Sequence, residues 1–262
     1  MSRLSLILHV FLFVLPLWLD GTTHAAPHRF PEISQAELDA FHRHEVLGDR
    51  DRLWVKDFYG QDLSEKDKQA FKEPLTDVKL GKILTPEVDS GSFNKGLYTL
   101  AADYKGHDAS NVVVKFLLGP ANEKAWGEVK ALKDVGYFID SGLINDQLAI
   151  LMTKIKGTPI KDTKVWSKAN RSKRETFLNQ MKPLVKDEIV NWACTKRLLH
   201  ADLHLANIHV TFNNDKTINS SKVLDFGYPG VFRVSRFATR SMIEKWFDLQ
   251  WENRQNLRAK LA

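Results

Sequence analysis

Short apolar runs with the spacing of β-strands dominate the middle of the chain. Residues 78–84 alternate apolar and polar side chains with a period of two, and so does part of residues 96–101. Residues 111–118 form a β-branched run that contains a single lysine, Lys115, and residues 148–152 form another apolar run. Since β-branched and apolar runs of this length are typical of strands, the pattern predicts a β-rich region.

Helical spacing lies between these strands and after them. Residues 123–134 show it first, and residues 162–197 predict one or two helices with an interruption near Pro183, because proline removes a helical hydrogen bond. A terminal helix is predicted over residues 242–261. Its packing face would be formed by Trp246, Phe247 and Trp251.

The region before the strands has helix-start signals instead. Capping-box patterns begin at Ser34 and Ser64, and the second predicts a helix that ends before Pro74. We therefore divide the chain into an N-terminal segment, 1–26, a helical extension, 27–78, and a main domain, 79–262.

The first 26 residues have the three parts of a signal peptide. A positive charge at Arg3 precedes an apolar run over residues 4–19, and small residues follow it up to Ala25 and Ala26, where we expect cleavage. An uncleaved membrane anchor is the alternative. Because no other stretch is long and apolar enough to span a bilayer, we expect a secreted protein, or one in the lumen of the secretory pathway, with no stable membrane span after cleavage.

Composition adds three expectations. The N-x-S triplets at Asn170 and Asn219, both in polar segments that we expect to be loops, predict a glycoprotein. The net charge of +6 is spread along the chain, and basic clusters such as residues 168–174 lack interleaved aromatics, so we expect no nucleic-acid partner. Cys194 is the only cysteine, which excludes an internal disulfide and predicts a small buried apolar side chain.

Two polar motifs carry the candidate chemistry. Residues 200–207 read H-A-D-L-H-L-A-N, and residues 225–227 read D-F-G, so that Asp202, Asn207 and Asp225 follow one another between short apolar runs. Phosphoryl transfer from ATP needs one carboxylate beside the attacking hydroxyl, and an amide and a second carboxylate to hold magnesium. The pair of motifs resembles the catalytic and metal-binding loops of the protein-kinase-like superfamily.

This resemblance implies an α+β, two-lobed fold with a small β-rich N-lobe, about 79–152, and a helical C-lobe, about 158–262. It implies ATP and Mg²⁺ (or Mn²⁺) as cofactors. Asp202 would be the catalytic carboxylate, Asn207 and Asp225 would bind the metal and the nucleotide, and His200 would bond backbone near Asp225.

Two other interpretations of these loops stay open. Asp202 and Asn207 could simply satisfy backbone groups in a turn. A metal cluster could instead be formed by His200, Asp202, His204 and His209.

Lys115 is unusual because an unpaired charge in a buried strand would be costly. The resemblance implies that this lysine contacts the nucleotide phosphates and pairs with a helix glutamate, for which Glu128 is the best candidate and Glu123 the alternative. Lys115 and Glu128 are therefore counted with the catalytic residues, although Lys115 could also lie on the exposed face of an edge strand. Met152, in the apolar run before the segment that crosses between the lobes, is included among the nucleotide-binding residues.

The segment that would cover the phosphates departs from the family pattern. Ser90, Gly91 and Ser92 offer backbone N–H groups for a phosphate cradle, but Asp89 and Asn94 replace two of the expected glycines. An aspartate there would repel phosphate unless it points away.

Further departures restrict the subfamily. Ala201 replaces the arginine by which many protein kinases read a phosphorylated activation loop, and His204 replaces a common lysine, so that the loop looks more like those of aminoglycoside and choline kinases. No A-P-E motif follows Gly227, and we expect a truncated C-lobe. From the two motifs and the family resemblance we expect phosphoryl transfer from ATP to a hydroxyl of a protein or small molecule. The alternative is a secreted pseudokinase that acts as a binding, scaffolding or effector module.

Overall fold

A computed structural model describes residues 54–61, 63–85 and 94–253. The described residues all belong to one compact unit, 33–262. The signal peptide, the Ser34 helix and the cradle residues Ser90, Gly91 and Ser92 lie outside the described residues. The strands are β1 (Val55–Phe58), β2 (Leu80–Thr85), β3 (Asn94–Leu100), β4 (Val112–Leu117), β5 (Phe138–Ile144), β6 (Gln147–Thr153), β7 (Thr158–Pro159), β8 (Leu198–His200), β9 (Ile208–Phe212), β10 (Ile218–Val223) and β11 (Val231–Val234), and the helices are α1 (Glu123–Val135), α2 (Lys164–Ser167), α3 (Arg171–Lys196) and α4 (Arg240–Asn253).

The N-lobe is an antiparallel sheet of five strands in the order β2-β3-β4-β6-β5. Lys115 lies in β4, the central strand, opposite Leu97 on one side and Ile150 on the other. The alternative that placed Lys115 on an edge strand is therefore wrong. Because side chains alternate along a strand, the apolar core on one face of β4 takes up its even-numbered positions, and Lys115 points to the other face.

Helix α1 begins and ends where its sequence signals place it. The side chain of Asn122 accepts hydrogen bonds from the backbone N–H groups of Lys124 and Ala125, and Gly136 ends the helix in the left-handed conformation, with φ of 81°. Val129 and Leu132 are buried in the main core. The predicted helix over residues 123–134 is confirmed, and its packing fixes the position of Glu128 on the same helix.

The C-lobe is built around α3, a continuous helix of 26 residues. The predicted interruption at Pro183 is wrong, since the helix passes through this residue. A proline inside a helix costs about 3 kcal/mol, but burial of several large side chains of α3 outweighs that amount, at about 1.5–3 kcal/mol for each. The fully buried ones are Phe177, Met181, Val185 and Ile189.

Helix α4 packs on α3 and accounts for the predicted terminal helix as far as Asn253. Trp246, Phe247 and Trp251 are all buried, as the spacing predicts. Cys194 is only partly buried, packed against the main core. No helix within the described residues is long and apolar enough to cross a membrane.

The segment before the N-lobe differs from its prediction. Residues 55–58 form β1, which pairs with β11 from near the end of the chain, in a sheet of order β1-β11-β8. At Ser64 the hydroxyl accepts from the Asp67 N–H, as in a capping box, but only one 3₁₀ turn, Asp67–Gln69, follows. The prediction of helix for residues 64–73 is wrong, because local capping starts a turn but does not supply the packing that extends it.

Candidate active site

His200 connects the two motifs. It is the last residue of β8, fully buried, and its Nε2 atom lies 3.0 Å from the carbonyl oxygen of Leu224 and 2.9 Å from that of Asp225. Burial lowers the pKa of His200, so the ring is neutral and Nε2–H donates to both carbonyls. The predicted structural role of His200 is confirmed.

Asp202 and Asn207 meet in the loop after β8. The Asn207 amide nitrogen donates to the Asp202 carboxylate at 2.8 Å and to its backbone carbonyl at 3.2 Å. The backbone carbonyl of Asn207 also accepts from the N–H of Leu224, one residue before Asp225, at 2.8 Å. With its nitrogen engaged in these bonds, the amide oxygen of Asn207 is the atom that could ligate a cation.

Lys115, Glu128 and Asp225 form a charged cluster between the sheet, α1 and the D-F-G loop. The Lys115 ammonium lies 2.5 Å from the Glu128 carboxylate and 3.4 Å from that of Asp225. The pairing with Glu128 is confirmed, and Glu123, which begins α1, is not the partner in this cluster. The Lys115 and Glu128 side chains are 4% and 6% exposed, whereas that of Asp225 is 46% exposed. The open side of the cluster is therefore at Asp225.

The protonation states follow from this arrangement. Burial alone would lower the pKa of Lys115, but the charges of Glu128 and Asp225 outweigh it and raise the pKa of the ammonium. The Lys115 charge, in turn, holds the pKa of Asp225 below its usual value. Burial raises the pKa of Glu128, against the effect of Lys115. With all three groups ionised the cluster carries one excess negative charge, which a cation would offset.

Two glycines of this site were not assigned from the sequence. A Cβ at Gly227 would lie 3.1 Å from the Asp225 carboxylate and 3.3 Å from that of Glu128, and a Cβ at Gly230 would lie 2.9 Å from the Asp202 Cβ. Gly227 belongs to the D-F-G motif, which could have signalled it, but nothing local marks Gly230. Both let the D-F-G loop approach the acidic side chains closely.

The remaining predicted site residues are placed differently. Met152 lies in β6 opposite Val113 and packs partly buried against the main core, so its nucleotide-binding role stays a prediction. His204 accepts from the Ala206 N–H through Nδ1, and its Nε2 lies 3.7 Å from Asp202. His209 lies in β9, opposite Lys222.

The alternative metal cluster finds no support. Among residues 54–61, 63–85 and 94–253, no group of three histidine, cysteine or acidic side chains is arranged to hold a metal ion. A divalent ion shared with nucleotide phosphates needs fewer protein ligands, and the Asn207 amide and Asp225 carboxylate are oxygen ligands of the kind that Mg²⁺ prefers. Together with the excess negative charge, these side chains fit magnesium bound with a nucleotide.

Comparison with known proteins shows the class of protein to which the chain is similar. Residues 144–261 match the family model described as the ABC1 atypical kinase-like domain, a range that contains Asp202, Asn207 and Asp225 and follows Lys115 and Glu128. The predicted membership of the protein-kinase-like superfamily and the α+β, two-lobed kinase-like fold are thereby confirmed. Within this class, residues 144–261 are similar to the ABC1 type. No curated protein matches the chain significantly.

Proposed function

We propose that this protein is an ATP- and magnesium-dependent phosphotransferase that acts on a hydroxyl group of a protein or small molecule. A kinase-like domain of the ABC1 type supports phosphoryl transfer or a pseudokinase role. The observation that carries the proposal is the buried Lys115–Glu128 pair, which meets Asp225. Transfer is favoured over binding alone by the intact carboxylate of Asp202, to which the Asn207 amide donates.

Each residue has a role in this proposal. Glu128 holds the Lys115 ammonium in place, so that it can donate to phosphate oxygens. Asn207 and Asp225 provide oxygen ligands for magnesium, which when bound neutralises phosphate charge. Asp202, 31% exposed, orients the acceptor hydroxyl and takes its proton.

The second candidate is a pseudokinase that binds partners without catalysis. It is favoured by the sequence of residues 89–96, in which Asp89 and Asn94 stand where kinases carry glycines. Both candidates predict nucleotide binding through the same side chains, and only phosphoryl transfer separates them.

Thermal-shift titration with ATP, with and without magnesium, tests nucleotide binding directly, because a ligand of the native state raises its stability. Asp225→Ala should remove the magnesium-dependent part of the shift while the melting temperature without ligand changes little. An unchanged shift in Asp225→Ala would show that the D-F-G motif is only structural here.

Asp202→Asn separates the two candidates. The amide keeps the size of the side chain but cannot accept the proton, so ATP binding should persist while transfer of the γ-phosphate falls by about 10²–10⁴. The measurement is transfer of labelled phosphate to a panel of acceptors, including the protein itself. If the wild type binds ATP but is as inactive as Asp202→Asn, the pseudokinase role is supported instead.

We also propose that the protein is exported and glycosylated. The apolar run of residues 4–19 supports export, and the side chains of Asn170, at the start of α3, and Asn219, in β10, are exposed. Asn219 was expected in a loop and lies in a strand instead. Sequencing the N-terminus of protein from the medium should find a start close to residue 26, and a glycosidase should lower its mass; Met1 on a cytosolic protein would contradict export.

A further inference from the structure

A pocket lies away from the candidate active site. It has a volume of about 640 Å³ and is bounded by β1, the 3₁₀ turn at Asp67, α1, the end of α3 and the chain that continues from β11. Small-molecule pockets typically measure roughly 300–1,000 Å³. The pocket is therefore large enough for a ligand of that class.

Its lining is strongly basic. Six positively charged side chains line it, and Asp67 is the one acidic side chain among the described lining residues. A concave surface lined by one sign of charge focuses its field on ligands of the opposite sign. The six are Lys56, Lys130, Lys196, Arg197, Arg233 and Arg236.

Four of these charges have no ion-pair partner among the described residues: Lys56, Lys196, Arg197 and Arg236. The Arg197 guanidinium donates to the backbone carbonyl of Ser235, at 3.4 Å, and the Arg236 guanidinium lies over the ring of its neighbour Phe237, 5.0 Å from the centroid. Neither contact neutralises a positive charge. Within the described part of the chain, the pocket thus concentrates positive charge that no ion pair offsets.

The end of α3 explains only part of this arrangement. Positive side chains stabilise the C-terminal end of a helix, which accounts for Lys196 and Arg197. Lys56 comes from β1, Lys130 from α1 and Arg236 from the segment after β11, so the helix dipole does not explain why they converge.

We propose that this pocket binds a small molecule that carries several phosphate groups. Lysine and arginine form charge-assisted hydrogen bonds with phosphate oxygens. Leu63 and Phe237, whose ring is 73% exposed, add apolar surface for the carbon skeleton of such a ligand. The pocket is distinct from the nucleotide site, because Lys130 and Glu128, two residues apart on α1, point to different sides of that helix.

Calorimetric titration with inositol hexakisphosphate, without magnesium and at physiological ionic strength, tests the proposal. The wild type should bind one equivalent. Lys196→Gln/Arg236→Gln should weaken binding at least about tenfold, the effect of losing two charge-assisted contacts. Lys79→Gln/Lys82→Gln, which removes the same charge from the exposed edge of the N-lobe, should stay within about twofold of the wild type.

Three results would overturn the site: no binding of one equivalent, equal weakening in both double variants, or loss of binding in Asp225→Ala, which would put the ligand in the nucleotide site. Circular dichroism checks that the variants fold, and Lys56→Gln/Arg236→Gln provides a second pocket variant that leaves the end of α3 intact.

Sedimentation with phosphatidylcholine vesicles that contain phosphatidylinositol 4,5-bisphosphate shows whether a lipid headgroup is also accepted. Vesicle binding that the pocket variants weaken supports the pocket and extends its ligands to lipid headgroups. Vesicle binding that they leave unchanged places the lipid elsewhere, and the calorimetric result then decides the pocket for soluble polyphosphates alone.

Discussion

Two of the charged clusters among the described residues have similar ion-pair distances but differ in their exposure to solvent. In the candidate active site, Lys115 and Glu128 are almost completely buried and face Asp225. Between α3 and α4, Lys182 and Lys186 both pair with Asp248, at 3.2 and 2.6 Å, but all of these side chains are at least 27% exposed. Distance alone therefore does not separate the clusters, whereas burial does.

This difference in burial indicates a different role for each cluster. Exposed pairs contribute about 0–1 kcal/mol, because water already solvates their charges and salt screens them. A buried pair loses that solvation, and replacing it with apolar side chains is often neutral or stabilising. The Lys115–Glu128 pair is therefore poorly explained by stability alone, whereas the nucleotide binding proposed above would explain why it is buried.

The largest effect is expected from breaking the buried pair on one side. Lys115→Met leaves Glu128 buried beside Asp225 without a counter-charge, and we expect a loss of about 3–5 kcal/mol in unfolding free energy, measured by urea denaturation at pH 8. The magnesium-dependent stabilisation by ATP should also disappear.

The double variant Lys115→Met/Glu128→Gln sharpens this test. It removes both charges, so most of the stability should return while ATP binding stays lost. If the double variant is as unstable as Lys115→Met, the pair is a structural element, and the contrast between the two clusters fails.

An intermediate effect is expected from the buried histidine of the site. The pKa of His200 is lowered from 6.5 in the folded protein, so protons bind more readily to the unfolded chain and stability decreases as the pH falls below 6.5. His200→Gln keeps a donor for the two carbonyls but does not titrate, and should lose less stability than the wild type between pH 7 and 5.

This comparison isolates His200, because His209, whose pKa burial also lowers, is present in both proteins. Asp248→Asn is the matched control from the exposed cluster, and it should keep the pH dependence of the wild type. Parallel curves for His200→Gln and the wild type would show that His200 does not stay neutral in the folded protein.

The smallest effect is expected in the exposed cluster. Asp248→Asn should lower the unfolding free energy by no more than about 1 kcal/mol, and about 1 M NaCl should remove most of the difference from the wild type, because salt screens exposed charges. The destabilisation of Lys115→Met should persist in the same salt. A large loss in Asp248→Asn that does not depend on salt would remove the distinction between the clusters.

Local patterns were enough to predict several elements and the kinase-like class. The run around Lys115, the spacing of α1 and the packing face of α4 are set by side-chain periodicity, which a single sequence displays directly. The motifs with Asp202, Asn207 and Asp225 were visible for the same reason, since each has a fixed spacing along the chain. The interruption predicted at Pro183 was wrong, because the low helix propensity of proline was outweighed by the burial of large side chains along α3.

The sequence by itself thus determined the types of residue, their spacing and the class of chemistry. Only the tertiary structure decided that Lys115 lies in the central strand of its sheet, that β1 joins β11 across most of the chain, that Gly230 packs against Asp202 and that six basic side chains meet in one pocket. The reason is physical: these contacts join residues far apart in the chain, and their energies depend on burial and on charged neighbours, which appear only when the chain is folded.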